Sequence, residues 1–331
     1  MRWSMFAWVV TWCSNRMPLA KASCTNPNCI EAPQAGGTPM IKDALVLLAG
    51  SPTDASALQI AFLLARIFWS RMDCLHVRPG TGQIVAKAAV NQFIATTGNV
   101  ELIHSIERAA AQAGKEARRS FDAFCEDRNF VNGKDGFSQD GVSASFREIL
   151  DDQVEKSIEE SRFNDCVFLA RGAGNDGFSI ADIGSILISA GRPIVVTTPE
   201  APQNLVPTVA IAWKETAEAA RAVAAAMPLL RKADRVFVLV GDEGGDALGR
   251  AMESATKLEE HLLRHGIPAK AKAVLAAERT RPEAILETAG ALGADLLVSG
   301  AYGHTRAREL VFGGFTRHVI KEARLPEFLF H

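Results

Sequence analysis

The residues best suited to chemistry lie in one stretch near the C-terminus, Gly300-Ala-Tyr-Gly303-His304-Thr-Arg306-Ala-Arg308-Glu-Leu-Val-Phe-Gly313-Gly314-Phe-Thr316-Arg317-His318. It follows an apolar run, Leu296–Val298, and leads into a helical pattern in which Val311, Phe315 and Val319 stand four apart. Glycines at the carboxyl end of a strand let backbone come close to a ligand. Unsatisfied N–H groups at the start of the next helix can cradle phosphate oxygens. The chemistry these types support is therefore anion binding, a phosphate first of all. His304 could touch such a phosphate or pass a proton; its plainer role is to shape or cap the loop. Arg306, Arg308 and Arg317 could form a phosphate-attracting rim or be ordinary solvated arginines. Lys214, at the end of the apolar run Val209–Trp213, could contact a phosphate, although a lysine head group also simply prefers water.

Other chemistries lack their residues. The chain has no Gly-x-Ser-x-Gly elbow, no Gly-Lys-Ser/Thr phosphate loop, and no Gly-x-Gly-x-x-Gly after either opening strand. No pair has the placement of a general base beside an oriented nucleophile, so no catalytic residue is assigned. His261 and His265 are four apart on a helical pattern, a spacing that can hold a metal, but Gly266 reads as the helix C-cap and His265 then sits well at the negative end of the dipole; no metal site is assigned. The six cysteines are scattered, without a Cys-x-x-Cys pair, and read as reduced thiols. A formal net charge of −2 gives no global pull toward nucleic acid or an anionic membrane. No apolar run approaches the ~20 residues of a membrane-spanning helix. The expectation is a cytoplasmic protein with neither nucleic acid nor membrane as partner.

The elements that would position the glycine stretch alternate. Apolar runs fall at Ala44–Ala49, Cys74–Val77, Cys166–Ala170, Pro193–Thr198, Val209–Trp213, Val236–Val240, Leu296–Val298 and Glu327–Phe330. Strands buried on both faces of a parallel sheet read this way. Between them the period changes. Leu58, Phe62, Ala65 and Trp69 share one helical face; so do Met252, Ala255, Leu258 and Leu262, with Lys257 and Glu259 turned away. This is the pattern of a doubly wound α/β fold.

The order of landmarks occurs twice. Each half opens with a strand, a turn and a helix. Each later has a strand ending in glycines, Gly172 and Gly174 in one, Gly300 and Gly303 in the other. Each closes on a strand introduced by a proline, Pro193 and Pro326. A duplication accounts for this, giving a first domain over 40–200 and a second over 208–331, with the proline-rich Pro199–Pro207 between them. The first half also holds a long helical stretch, about Gln83 to Arg128, followed by turn-rich sequence; packing or solvated surface is its plainer role. Residues 1–39 read differently from the rest. They suit a disordered extension, a start of translation at Met40, or, less well because of Arg16 and Lys21, a secretion signal.

At this point a resemblance becomes specific. Gly300, Gly303 and Gly313 match the three glycines of the universal stress protein nucleotide motif, in which two residues and then nine separate the glycines. The chain from residue 40 onward resembles the tandem bacterial members of that family. The resemblance implies two five-stranded parallel sheets, each ordered 3-2-1-4-5, paired face to face as an intrachain pseudo-dimer. It also implies ATP or a related adenine nucleotide as ligand in the second repeat, held by Gly300, Gly303, His304, Gly313, Gly314, Thr316 and Lys214. The chain departs from the motif where Gly314 replaces a Ser or Thr and Thr316 follows two residues on. Lys214 stands where the family has an Asp, as does Ala49 in the first repeat. The first repeat has no long glycine motif, and nucleotide is expected in the second alone. The function implied is a stress-response regulatory or binding module acting through a homodimer or other protein partners. A slow ATP-hydrolysing enzyme and a nucleotide-free interaction protein are the alternatives.

Overall fold

The computed structural model describes residues 41–83, 100–130, 136–137, 141–172, 177–198, 206–242, 247–301 and 314–331. The N-terminal extension and the proline-rich segment 199–205 lie outside them. The first half runs β1 (Asp43–Leu48), α1 (Asp54–Phe68), β2 (Arg71–Arg78), α2 (Val100–Asp127), β3 (Gly136–Phe137), β4 (Ser143–Leu150), α3 (Gln153–Ser161), β5 (Cys166–Ala170), α4 (Ile180–Ser189) and β6 (Ile194–Thr197). The second runs β7 (Thr208–Ala212), α5 (Ala217–Leu230), β8 (Arg235–Gly241), α6 (Ala247–Arg264), β9 (Ala269–Val274), α7 (Arg281–Ala291), β10 (Leu296–Gly300), α8 (Gly314–Glu322) and β11 (Glu327–Phe330).

The eleven strands among the described residues form one sheet, ordered β3-β4-β2-β1-β5-β6-β11-β10-β7-β8-β9. With the two-residue β3 set aside and numbering restarted in each half, both halves are ordered 3-2-1-4-5 and their pairs are parallel. The halves meet edge to edge, through an antiparallel pair in which Glu327 faces Val196, Phe328 faces Val195 and Leu329 faces Ile194. This corrects the face-to-face pairing expected from the resemblance. The physical reason lies in the sheet faces, both of which helices already cover. What each half leaves open is the edge of its last strand, whose N–H and C=O groups must find partners.

Alternation along each central strand feeds two layers of core. In β1, Ala44, Val46 and Leu48 point to one face and Leu45 and Leu47 to the other, all buried. The first face forms a continuous apolar layer across the seam, from Val46 through Phe168, Val195 and Phe328 to Val298 and Val238. The other face carries two clusters, one mainly of the first half that reaches Ala301, Ile320 and Leu329 across the seam, and one of the second half. The expected helix faces are largely met: Leu58, Phe62, Ala65, Ala255, Leu258 and Leu262 are buried. Two residues differ. Trp69 is not on the α1 face but caps the helix in a left-handed conformation, φ 57°. Glu259 does not turn away; its Oε1 accepts the N–H of Ala271 in the edge strand β9.

Strands β3, β4 and β9 have no counterpart among the expected apolar runs. β4 and β9 flank their halves on the outside, where one side has no strand of comparable length. Their sequences, SASFREIL and AKAKAV, mix exposed and buried positions instead of running continuously apolar. Lysines on such an edge, here Lys270 and Lys272, discourage pairing with another chain.

Candidate functional site

In an open parallel sheet a ligand crevice forms beyond the carboxyl ends of the strands, where strand order reverses. In the second half that point lies between β7 and β10, its first and fourth strands. A cavity of about 660 Å³ opens there, lined by the ends of β7, β8 and β10 and by α5, α6, α7 and α8. Three of the expected site residues, Lys214, Gly300 and Thr316, line it together. Lys214 is exposed at the mouth, and Thr316 is buried in the first turn of α8. Gly314 is exposed and does not contribute to the wall. Gly303, His304 and Gly313 lie outside the described residues.

Each wall has a local cause. After β7 the chain turns at Trp213-Lys214-Glu215, and Thr216 starts α5 by accepting the Ala219 N–H on Oγ1 at 3.3 Å. The first turn of α5 then presses on the end of β10. A Cβ added at Gly300 would lie 2.3 Å from Ala219 N and 2.6 Å from the Glu218 carbonyl carbon. Gly300 is thus a glycine because helix backbone approaches it, a use different from the ligand approach expected from sequence. Trp213 forms part of the lining, its indole N–H donated to Ser254 Oγ at 3.0 Å. Val240, Ile285 and Phe315 add apolar surface.

Charge gathers around this apolar wall. Lys214, Arg250 and Arg281 line the cavity, and so do Glu215 and Glu218. Glu218 is buried, 3.2 Å from the guanidinium of Arg221. Arg281 opens α7, whose start is closed by the Glu283 carboxylate accepting the Thr280 N–H at 2.8 Å. Its stem crosses Gly241, where an added Cβ would lie 2.4 Å from Arg281 Cγ and 2.6 Å from Cδ. Arg281, Arg250, Ser254 and Gly241 were not among the expected site residues. Gly241 at the end of an apolar strand was the one local signal for this side of the cavity, by the same reasoning that singled out Gly300.

The matching place in the first half is filled. The N–H groups of Ala49, Gly50 and Ser51 after β1 all donate to the Asp54 carboxylate, at 2.9, 2.8 and 3.3 Å. Burial pushes the Asp54 pKa up, while these three backbone bonds and the nearby His76 pull it down. Helix α2 packs on the same loop at Gly50. A protein carboxylate therefore takes the donors that an anionic ligand would need. The His261 and His265 rings meet edge to face with centroids 4.8 Å apart, and Gly266 has φ +75°, as expected for a helix end. No group of three or more metal-ligating side chains occurs among the described residues, nor is any described helix long and apolar enough to cross a membrane.

Comparison with known proteins agrees with this architecture. Residues 207–330 match the model of the universal stress protein family. A universal stress protein from Archaeoglobus fulgidus superposes with a TM-score of 0.60 at 16% identity, over 87% of this chain and 97% of that one. A putative universal stress protein from Pseudomonas aeruginosa UCBPP-PA14 gives 0.51 at 15% identity, over 88% and 93%. A functionally unknown protein from P. aeruginosa PAO1 gives 0.52 at 15%, over 88% and 92%. At such identities the likeness is one of fold. Among curated proteins no sequence matches significantly. Residues 207–330 thus belong to the universal stress protein family, and the first half of the chain carries a second copy of the same fold.

Proposed function

We propose that the second half binds an adenine nucleotide in the cavity between β7 and β10, and that the protein is a cytoplasmic stress-response module whose nucleotide state is read by a protein partner. The observation carrying this reading is the convergence of Lys214, Gly300 and Thr316 on one cavity at the switch point of the sheet. The cavity's apolar wall, Trp213 with Val240 and Ile285, suits the flat face of a base. Lys214 at the mouth suits a phosphate, as a flexible point charge. The first half, its loop donors taken by Asp54, serves structure and pairing.

The test begins with protein purified without added ligand. Its absorbance ratio and mass spectrum should reveal bound adenine nucleotide, and calorimetry with ATP should give one site per chain. Lys214→Ala should weaken ATP by about tenfold, the worth of one exposed charge-assisted contact. Protein that carries no nucleotide and takes up no ATP in calorimetry would sink the reading.

A further inference from the structure

We propose that Arg171, a residue of the first half, is a positioning residue of the second-half cavity: its guanidinium holds the far end of α8, the helix whose first turn forms part of the cavity wall. The inference rests on the reading of the cavity as a ligand site, and it adds how the other half governs that site.

Helix α8 has nine residues, and Phe315 and Thr316 in its first turn line the cavity. The helix lies across the seam. Val319, one turn on from Phe315, is buried in the core cluster of the second half. Ile320, one turn on from Thr316, is buried in the cluster made mainly by the first half. The last carbonyls of a helix have no partner within it. Here Arg171 Nη1 donates to two of them, those of Ile320 and Lys321. The negative end of the helix dipole favours a cation at the same place.

Arg171 is itself placed by its own half. It follows β5 directly, and its backbone forms a parallel bridge with Phe178. The Gly172 N–H donates to the Phe178 carbonyl at 3.2 Å, and Phe178 is buried in the same cluster as Ile183 and Ile186 of α4. The guanidinium therefore ties α8 to a loop that the core of the first half has already fixed. A helix of nine residues is about 13 Å long and moves as one body, so a shift at Lys321 reaches Phe315 and Thr316. Arg171 is not itself a lining residue of this cavity and acts on it through α8. It also attracts the buried carboxyl of Glu327 in β11, a pull that the test must separate from the clamp.

Hydrogen exchange and calorimetry on the full chain, with ATP as probe, test this. In Arg171→Ala without ligand, the amides of α8 should exchange about tenfold faster, from the last turn through Thr316, the worth of a hydrogen bond to a charged group. Those of α7 and β8, which wall the same cavity, should keep their wild-type rates. ATP affinity should fall about fivefold or more, the lower range of coupling between sites. The fall should persist at about 0.5 M salt, where the field of a distant charge is screened. It should also appear in Glu327→Ile protein, which lacks the carboxyl. Linkage requires the reverse effect: ATP should slow exchange of the Gly172 N–H in wild type and leave it unchanged in Arg171→Ala. A residue that only stabilises the fold would not transmit this. Melting curves identify a variant that fails to fold, and Arg171→Lys then serves instead, with the same pattern at smaller size. Unchanged α8 exchange in a folded variant overturns the proposal, and so does faster exchange spread evenly over both halves. Faster exchange in α8 with wild-type ATP affinity overturns it while leaving the ligand site intact. If the wild type takes up no ATP, the nucleotide reading falls and exchange at Phe315 and Thr316 decides: faster in Arg171→Ala upholds the placement of the wall, and unchanged overturns that as well.

Discussion

Gly50 and Ala113 are in backbone contact: a Cβ on Gly50 would lie 2.1 Å from the Ala113 carbonyl oxygen. Gly50 belongs to the loop after β1, and Ala113 to the middle of α2. Helix α2, which follows β2 and at 28 residues is longer than its 18-residue counterpart α6, is therefore seated on the strand ends where a ligand would enter. In the second half the helix after β8 stands back from the corresponding loop, and residues of α6 form one wall of the cavity instead of filling it. The two halves share a sheet order and differ in what lies over its carboxyl edge.

Gly50→Ala should accordingly damage the first half and spare the second. The residue has φ +77°, a left-handed conformation that alanine adopts reluctantly, and its new methyl would meet helix backbone, which cannot rotate aside as a side chain can. A loss of about 2–4 kcal/mol is expected from strain and overpacking together. Denaturant titration measures it. Ligand binding by the protein that remains folded should keep its wild-type affinity; a parallel loss would mean that the loop of the first half takes part in the site.

Much of this organisation was legible in the chain itself. The continuous runs around Val46, Phe168, Val209 and Val298 read as central strands because both their faces are covered, and they are. The glycine-rich end of β10 pointed to the right edge of the sheet, and Lys214, Gly300 and Thr316 do meet there. What could not be read depends on elements distant in sequence. Strands β4 and β9 alternate like surface segments because each lacks a long neighbour on one side. Arg281 follows Gly241 by forty residues, and only the packing of α7 against β8 brings its stem over that glycine. The edge-to-edge seam escaped because β6 and β11 look alike whether they end a sheet or continue one.

The meaning of Gly300 changes its mutational signature. Were it a glycine only so that a ligand could approach, Gly300→Ala would weaken binding with little effect on the fold. Because Ala219 N and the Glu218 carbonyl carbon lie 2.3 and 2.6 Å from the position of the new methyl, alanine should instead push the first turn of α5 away from β10. Overpacking against backbone of this kind costs about 1–3 kcal/mol. Thermal denaturation should show the loss with no ligand present. A variant as stable as wild type, but poorer in ATP affinity, would restore the ligand-approach reading.

The seam between the halves carries a feature that should make stability depend on pH. Glu327 is 2% exposed in β11, opposite Val196, and neither carboxylate oxygen has a hydrogen-bond partner among the described residues. The same register position of the first half holds Ile194, an apolar residue. Burial raises the Glu327 pKa well above its ordinary value of 4.5, and the attraction of Arg171 offsets only part of this. The folded protein thus holds this proton more tightly than the unfolded chain does. Its contribution to stability is complete below about pH 4.5 and is lost as the pH rises through the folded-state value. Exposed carboxylates with lowered pKa, among them Glu283 and Glu322, act in the opposite sense, so the comparison must be between variants. Denaturant titrations of wild type and Glu327→Ile at pH 4.5 and pH 8 separate the two. Above neutrality Glu327→Ile should be the more stable by about 1–3 kcal/mol, the cost of a buried polar group left without a partner. Toward pH 4.5 the gap should narrow, since a protonated carboxyl costs less to bury than a charged one. A gap that stays constant across this range would show that Glu327 has the same pKa in the folded and unfolded states, and that burial in the seam does not disfavour its charged form.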